Sequence, residues 1–492
     1  MGDAGGPRPL LAGVDVGTTS VKAAVFDPAG RPVASAAVPT PTRSSAPGRA
    51  EYDPEALWQA AATALRRAVG SLPDAGDVVG VAVASMAEAG VAIDRDGVPV
   101  APIVAWYDRR SAAQGHRLVA AVGAERLRAL TGLPPQPIYG ICKIMWLAEN
   151  APEPFARAHT WLNVADYIAY RLSDERATDF SLATRTGALD LRARRWSGEV
   201  LDAAGIPVSL FPTLVASGTA LGRVTSQAAD ETGLPPHTVV GAGGHDHICG
   251  SLAAGVVDPG RALDSIGTAE SLLLPLAAPL ATDDGTPRFS QGIHVAGDRS
   301  YAAAGIHAGG ASIDWVLRLL AGAEDADALL SEAAAVPAGA RGVVFAPHVG
   351  APGVVDGKAG ALIGLTPDID RATVVRAVME GLAVVANDLL DRLVEQAALA
   401  SRPEVRVIGG GARNALLLSI KAAVAGRPLH RLQVREATSL GAALLGGVAA
   451  GTFPDATTAA AGIEMDLREV APDAADYDAP ARRVRALRDL FG

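Results

Sequence analysis

Cysteine is nearly missing from this chain. Its 492 residues hold two, Cys142 and Cys249, too few for a disulfide framework or for a zinc site of four cysteines. That scarcity suits a reducing compartment. Aromatic residues are sparse as well, at 4%, and long uncharged runs are few. Ala203 to Gly222 is broken by Pro207 and Pro212 and mixes in serine and threonine. Ala437 to Pro454 carries Gly441, Gly446, Gly447 and Gly451, which suits a buried, closely packed helix better than a membrane span. Positive charge is in deficit: 43 Lys and Arg against 53 Asp and Glu leave −10. Nucleic acid or an anionic membrane as main partner would demand a basic face. Met1 to Leu11 lacks the apolar core of a signal peptide, and Gly6 stands where myristoylation needs Ser or Thr. A soluble, cytoplasmic protein is expected, with Met1 to Pro9 as a frayed tail.

Several chemical signatures are missing too. Gly353–Val354–Val355–Asp356–Gly357–Lys358–Ala359 is one residue short of a Walker A loop and ends in Ala. Gly241–Ala242–Gly243 begins a dinucleotide fingerprint, but Asp246 stands at its third glycine, which speaks against hydride transfer. No His-Glu-x-x-His occurs. His245 and His247 flank Asp246; in an extended strand they share one face with Asp246 on the other, and no third histidine is near. A transition-metal site there is not expected.

What is present is an ordinary globular composition, 49% hydrophobic and 20% charged, in a chain long enough for two large domains or up to four smaller ones. Leu11 to Val16 and Ser20 to Phe26 read as strands around a Gly17–Thr18–Thr19 turn, followed by a strand from Val33 to Val38. Leu57, Ala61, Leu65 and Val69 predict a helix over Glu55 to Val69, and Val78 to Ala84 a buried strand. Ser111 to Leu201 is mostly helical, with proline breaks. Val239 to Gly244 is a short strand. Ala262 to Leu274 repeats the opening pattern around Gly267–Thr268, 250 residues after Gly17–Thr18. A duplicated α/β architecture follows as an expectation, with a boundary near Gly250 to Gly260. Helices are predicted at Ile313–Leu320 and Arg371–Ala397, and a strand at Val405–Ile408 runs into Gly409–Gly410–Gly411.

Three small-residue turns carry chemical promise. Asp15–Val16–Gly17–Thr18–Thr19–Ser20–Val21–Lys22 joins an acid at a strand end to a turn whose backbone N–H groups and hydroxyls can approach phosphate oxygens. An aspartate there can hold Mg²⁺. The same residues also suit a plain hairpin turn. Gly267–Thr268 offers a matching cradle, and Gly409–Gly410–Gly411–Ala412 leaves room for a flat ring or for close helix packing. An acidic protein has no broad basic patch for a triphosphate, so such turns and a divalent metal would have to serve.

With these segments in order, the chain resembles the FGGY carbohydrate kinases of the actin-like ATPase superfamily, from about Leu10 to Gly451. Besides the three turns, the matched segments are Trp106–Tyr107–Asp108–Arg109–Arg110, Lys143 and Trp146, Asp166–Tyr167, and Thr178–Asp179–Phe180–Ser181. Gly243–Gly244–His245–Asp246, Glu380–Gly381–Leu382, Arg413–Asn414 and Glu436 to Ala443 complete the set. The resemblance implies two ribonuclease-H-like domains, residues 1–255 and 256–492, each with five mixed strands and helices, and a central catalytic cleft where ATP and sugar meet. It implies Asp246 as general base, with Asp15 and Asp246 near Mg²⁺. Gly17, Thr18, Thr19 and Lys22 would form the first phosphate turn, and Gly267 and Thr268 the second. Gly410, Gly411 and Asn414 would sit beside the adenosine, and Gly310 in the stretch His307 to Ala311 on the nucleotide side.

The sugar-facing residues depart from the relatives. Ala87–Glu88 stands where glycerol kinases carry Arg-Glu, and Met86–Ala87–Glu88 where xylulokinases carry Met-His-Gly. His247 follows the catalytic Asp where Gln or Asn is usual. Glu88, Met86, Trp106, Asp108 and His247 are the expected substrate contacts, with Tyr139 one place off an aromatic position. A buried Glu88 would repel a sugar acid, which favours a neutral ketose (xylulose- or ribulose-like) or polyol. Two rivals are a non-catalytic sugar- or nucleotide-binding regulator on the same fold and a chaperone-type ATPase switch; an intact Asp246 speaks against the first, and the second calls for a separate peptide-binding domain. The expected partners are ATP and a small sugar or polyol, with a homodimer allowed.

Overall fold

The alternation around Gly17–Thr18–Thr19 folds as a hairpin in the computed structural model. The structure describes residues 9–46, 48–281, 289–306, 309–321, 325–347, 360–434 and 436–491. The failed Walker segment Gly353 to Ala359, most of the expected tail, and His307 and Ala308 lie outside the described residues. The chain divides into two compact units that interleave in sequence. The first takes Met1–Val257, Pro275–Ala302 and Glu436–Met465; the second takes Asp258–Leu274, Ala303–Arg435 and Asp466–Gly492. The first passage from one to the other falls two residues after the expected boundary.

In the first unit, β1 (Leu10–Val16), β2 (Ser20–Phe26), β3 (Pro32–Pro39), β4 (Val78–Ser85), β5 (Ala220–Arg223) and β6 (Val239–His245) form one sheet of order β5-β6-β4-β1-β2-β3. β1 pairs antiparallel with β2 and parallel with β4, and β6 pairs parallel with β4. The sheet therefore has six strands where five were expected, the antiparallel edge strand β5 being the addition. Central strands β1 and β4 are buried on both faces, which explains their continuous apolar runs.

The glycine-rich run near the end of the sequence forms the helix Ala437–Ala449, which packs on β1, β4 and β6. Its glycines permit that approach: a Cβ on Gly441 would lie 1.9 Å from the Cys249 carbonyl oxygen, and one on Gly13 of β1 1.8 Å from that of Ser439. The helix Pro54–Val69, capped by Asp53, packs on β2 and β3.

In the second unit, β7 (Arg261–Ile266), β8 (Glu270–Leu276), β9 (Ser300–Ile306), β10 (Glu404–Ile408), β11 (Leu429–Leu432) and β12 (Leu467–Val470) run in the order β9-β8-β7-β10-β11-β12. β7 pairs antiparallel with β8 and parallel with β10, and β10 parallel with β11. This repeats β3-β2-β1-β4-β6 of the first unit strand for strand, each hairpin carrying a Gly-Thr turn. No helix among the described residues is long and apolar enough to cross a membrane.

Candidate active site

In the first unit the site is built at the carboxyl ends of parallel strands, where open α/β sheets bind ligands. β6 ends in Gly243–Gly244–His245, and the helix Asp246–Ala253 begins at the next residue. A Cβ on Gly243 would lie 1.8 Å from the Val83 carbonyl oxygen, so glycine is required where β6 meets β4. The backbone N–H of His245 donates to Ser181 Oγ at 2.9 Å. Ser181 belongs to the short helix Phe180–Arg185, whose first N–H groups are capped by Asp179.

Asp246 is held through one oxygen. His247 N–H donates to Oδ1 at 2.6 Å, and His245 Nε2 lies 3.1 Å from the same atom. Burial alone would raise the carboxyl's pKa. The charge of His247, the His245 bond and the His247 N–H outweigh it and hold the group below its usual range. His247 is itself depressed by burial, so near pH 7 the two N–H donors carry this effect. Asp246 is thus ionised at neutral pH.

Asp15, at the end of β1, shows the opposite shift. Burial and the charge of Asp246 push it up to about 7, against the pull of Lys22. Asp15 and Asp246 are close enough for the charge of one to act on the other, and hard oxygen donors of this kind fit Mg²⁺. Lys22 pairs with Glu436 at 3.0 Å. Gly17 N–H donates to Ser20 O within the turn, so Gly17 gives the turn its shape and its N–H is already used. Thr18 Oγ1 accepts from Trp106 Nε1 at 3.1 Å, and Thr40 Oγ1 donates to Gly17 O at 2.7 Å.

The substrate-facing candidates separate into two groups. Met86 N–H donates to Val16 O, which brings the segment after β4 against the first turn. Glu88 is buried and not a surface carboxylate, with its backbone at φ +58°, an uncommon conformation for a non-glycine residue. It pairs with Arg185, whose Nε lies 2.5 Å from Oε1. Asp108, by contrast, has both oxygens committed. It accepts from the N–H of Ala50 at 2.7 Å and of Arg110 at 2.8 Å, and from the Arg110 guanidinium. It therefore braces the Trp106 loop and offers no free oxygen to a hydroxyl. Tyr139 donates its hydroxyl to Pro134 O at 2.8 Å and presents its ring to Arg185.

In the second unit, the Gly267–Thr268 turn joins β7 and β8. Gly310 N–H donates to Gly267 O at 3.1 Å and Ala311 N–H to Thr268 O at 3.0 Å. A Cβ on Gly310 would lie 2.2 Å from Gly267 O. The glycine run after β10 packs on the same strand: Gly409 adopts φ +94° with its Cβ direction facing Ile266 O, and Gly411 meets Ile266 Cγ2. Gly410 faces open space, with its nearest neighbour 4.0 Å away. Asn414 caps the helix Ala415–Ala425 through Leu417 N–H.

The sequence matches the description "FGGY family of carbohydrate kinases, N-terminal domain" over residues 10–253 and its C-terminal counterpart over residues 264–450. The chain belongs to the FGGY family of carbohydrate kinases. It is an ATP-dependent sugar or polyol kinase. This FGGY kinase is 29% identical to a xylulose kinase of Bacillus subtilis over 490 residues, covering 98% of this chain and 95% of that one. It is 32% identical to a glycerol kinase of Aromatoleum aromaticum over 469 residues, covering 90% of each. A solved xylulose kinase from Rhodospirillum rubrum superimposes with a TM-score of 0.87 at 29% identity, covering 98% of both chains.

Further residues gain a place near these groups once the fold is known. In an extended strand His245 and His247 would share one face with Asp246 on the other. The strand ends at His245 and a helix begins at Asp246, so ligand atoms of His245, Asp246 and His247 come within 4.8 Å of one another. Arg185 lies four residues after the matched Ser181, and only the fold brings it to Glu88. Lys143 is buried, bonds to Ile138 O, and is brought down to about 8 by burial, against the pull of Glu88. In the second unit Lys421 bridges Asp264 and Glu270 at 2.5 Å each, residues of the two strands that flank the Gly267–Thr268 turn.

Proposed function

We propose that this kinase transfers the γ-phosphoryl group of ATP to a hydroxyl of a neutral ketose or polyol, with Asp246 as general base. The observation that carries this reading is the environment of Asp246: an ionised carboxylate whose Oδ1 takes two N–H donors while Oδ2 has no such partner among the described residues. A sugar hydroxyl is too weak an acid to lose its proton to a carboxylate in the ground state. Asp246 orients the hydroxyl in line and accepts the proton late, as the O–P bond forms.

Thr18 and Thr19 in the first unit, and Thr268 with the Gly310 loop in the second, supply backbone and hydroxyl donors suited to phosphate oxygens. Gly410, Gly411 and Asn414 border the open face for the nucleoside. Asp15 and Asp246 would hold Mg²⁺, which when bound neutralises charge on the phosphates. The paired Glu88 and Arg185 present no net charge, which suits an uncharged substrate. Met86, Trp106 and His247 are assigned to the same substrate as further contacts.

ADP release with Mg²⁺ and ATP, measured over short polyols, ketoses and sugar acids with an Asp246→Asn variant alongside, tests this. Turnover of a neutral compound that is lost in the variant is expected. Full turnover by Asp246→Asn would remove Asp246 as base.

A further inference from the structure

Arg185 has no part in the phosphoryl transfer described above, yet its side chain is largely enclosed, with 12% of its surface exposed. Its Nε lies 2.5 Å from Glu88 Oε1, and its Nη2 bonds to the same oxygen. A fork-to-fork pair would spread these donors over both carboxylate oxygens. Here both fall on Oε1, and Oε2 is left to other donors. The guanidinium lies over the Tyr139 ring, 5.4 Å from its centroid, and Tyr139 is pinned by its bond to Pro134 O. The buried hydroxyl of Tyr301 faces the same guanidinium without a hydrogen bond of normal geometry.

The pair is tied to the reacting groups through its own helix: Ser181 of Phe180–Arg185 accepts the backbone N–H of His245, the neighbour of Asp246. The charges of Glu88 and Arg185 both act on His247. Glu88 also keeps a left-handed backbone that a non-glycine residue adopts at a cost, as residues at ligand clamps do. The acid and the guanidinium are thus held together over an aromatic ring that is itself anchored.

We propose that Arg185 selects the substrate by charge: it cancels Glu88 through Oε1 and leaves a neutral wall with one acceptor and one guanidinium edge, matched to adjacent hydroxyls of an uncharged polyol or ketose. This rests on the kinase reading above. A sugar acid would find its carboxylate desolvated against a cation that is already paired. The two charges are therefore reciprocal controls. Glu88→Gln leaves an unpaired buried guanidinium that attracts a carboxylate. Arg185→Gln leaves an unpaired buried carboxylate that repels one.

The test is kcat and KM for neutral compounds (glycerol, xylulose, ribulose) and acids (glycerate, gluconate) in wild type, Glu88→Gln, Arg185→Gln and the double variant. Wild type should prefer a neutral compound. Glu88→Gln should raise the acid-to-neutral ratio of kcat/KM at least about tenfold, mainly through KM. Arg185→Gln should lower kcat/KM for the neutral compound by about 10²-fold, since truncating one partner of a buried charge pair strands the other. The double variant should return toward the wild-type ratio. ATP affinity and melting temperature report on folding; if Arg185→Gln melts early, Arg185→Lys should keep the neutral preference. An unchanged ratio in both single variants overturns the proposal while leaving the kinase intact. A wild type that prefers acids does the same. A wild type inactive on every compound overturns the neutral-substrate reading and the selection role together.

Discussion

His245 Nε2 lies 3.1 Å from Asp246 Oδ1, the oxygen that also receives the His247 backbone N–H. The histidine comes from the last residue of β6 and the aspartate from the first residue of a helix. His245 is fixed in turn by its own N–H on Ser181. The base is therefore aimed by three elements, and its second oxygen is directed by default.

Replacing Asp246 by Asn keeps the size and one acceptor but removes the proton acceptor. kcat should fall by roughly 10²–10⁴. The affinity for ATP without Mg²⁺, measured by calorimetry, should stay near the wild-type value. An unchanged kcat would assign the proton to another group.

His245→Asn should act through position. A reacting group misplaced by about 1 Å can cost up to about 10²-fold. The expected result is a lower kcat with little change in KM for either substrate. A loss confined to KM would mean that His245 touches substrate and does not aim the base.

Gly310→Ala places a Cβ 2.2 Å from the Gly267 carbonyl oxygen, so the loop must move off the Gly267–Thr268 turn. ATP binding should weaken at least about tenfold, or about 1.4 kcal/mol. Calorimetric titration of ATP would show it, and wild-type affinity would remove the loop from nucleotide binding.

Gly441→Ala tests the glycine helix. The added methyl would meet the Cys249 carbonyl oxygen at 1.9 Å inside the first unit. Overpacking of this kind costs about 1–3 kcal/mol. Urea unfolding should show the lowered midpoint, and an unchanged midpoint would mean that the contact yields freely.

Asp166 gives a pH dependence with a definite sign. Burial first, and then the nearby Asp179 charge, push its carboxyl up to about 8, against bonds from Thr178 and Asn163. Between its ordinary value of 3.8 and about 8 the folded state holds a proton that the unfolded chain has lost. Stability should therefore fall as pH rises through that window, by up to about 1.4 kcal/mol per pH unit from this group. Asp166→Asn should flatten the slope of urea midpoint against pH between 5 and 8. An equal slope in the variant would place the titration elsewhere.

Much of the fold was legible because it is local. The strands Leu10–Val16 and Ser20–Phe26 and the helix Pro54–Val69 follow from alternation, turn chemistry and helical spacing, and the observed bounds agree within a residue or two. Edge strand β5 was missed because Ala220–Arg223 is short, mostly exposed and weakly patterned. The partners of Asp108 were not legible: its type and place suit a substrate contact, while its four bonds come from Ala50 and Arg110 around a fold that spacing does not show.

The sequence by itself determined the family, the duplicated Gly-Thr turns and the acid that follows β6, since these reside in short ordered segments whose chemistry depends on neighbours along the chain. Only the tertiary structure decided which charges cancel. Glu88 and Arg185 are 97 positions apart, and whether the buried carboxylate is bare or paired depends on where the helix Phe180–Arg185 packs. Electrostatics inside a protein act through space at a few ångströms, and spacing along a chain does not report that distance.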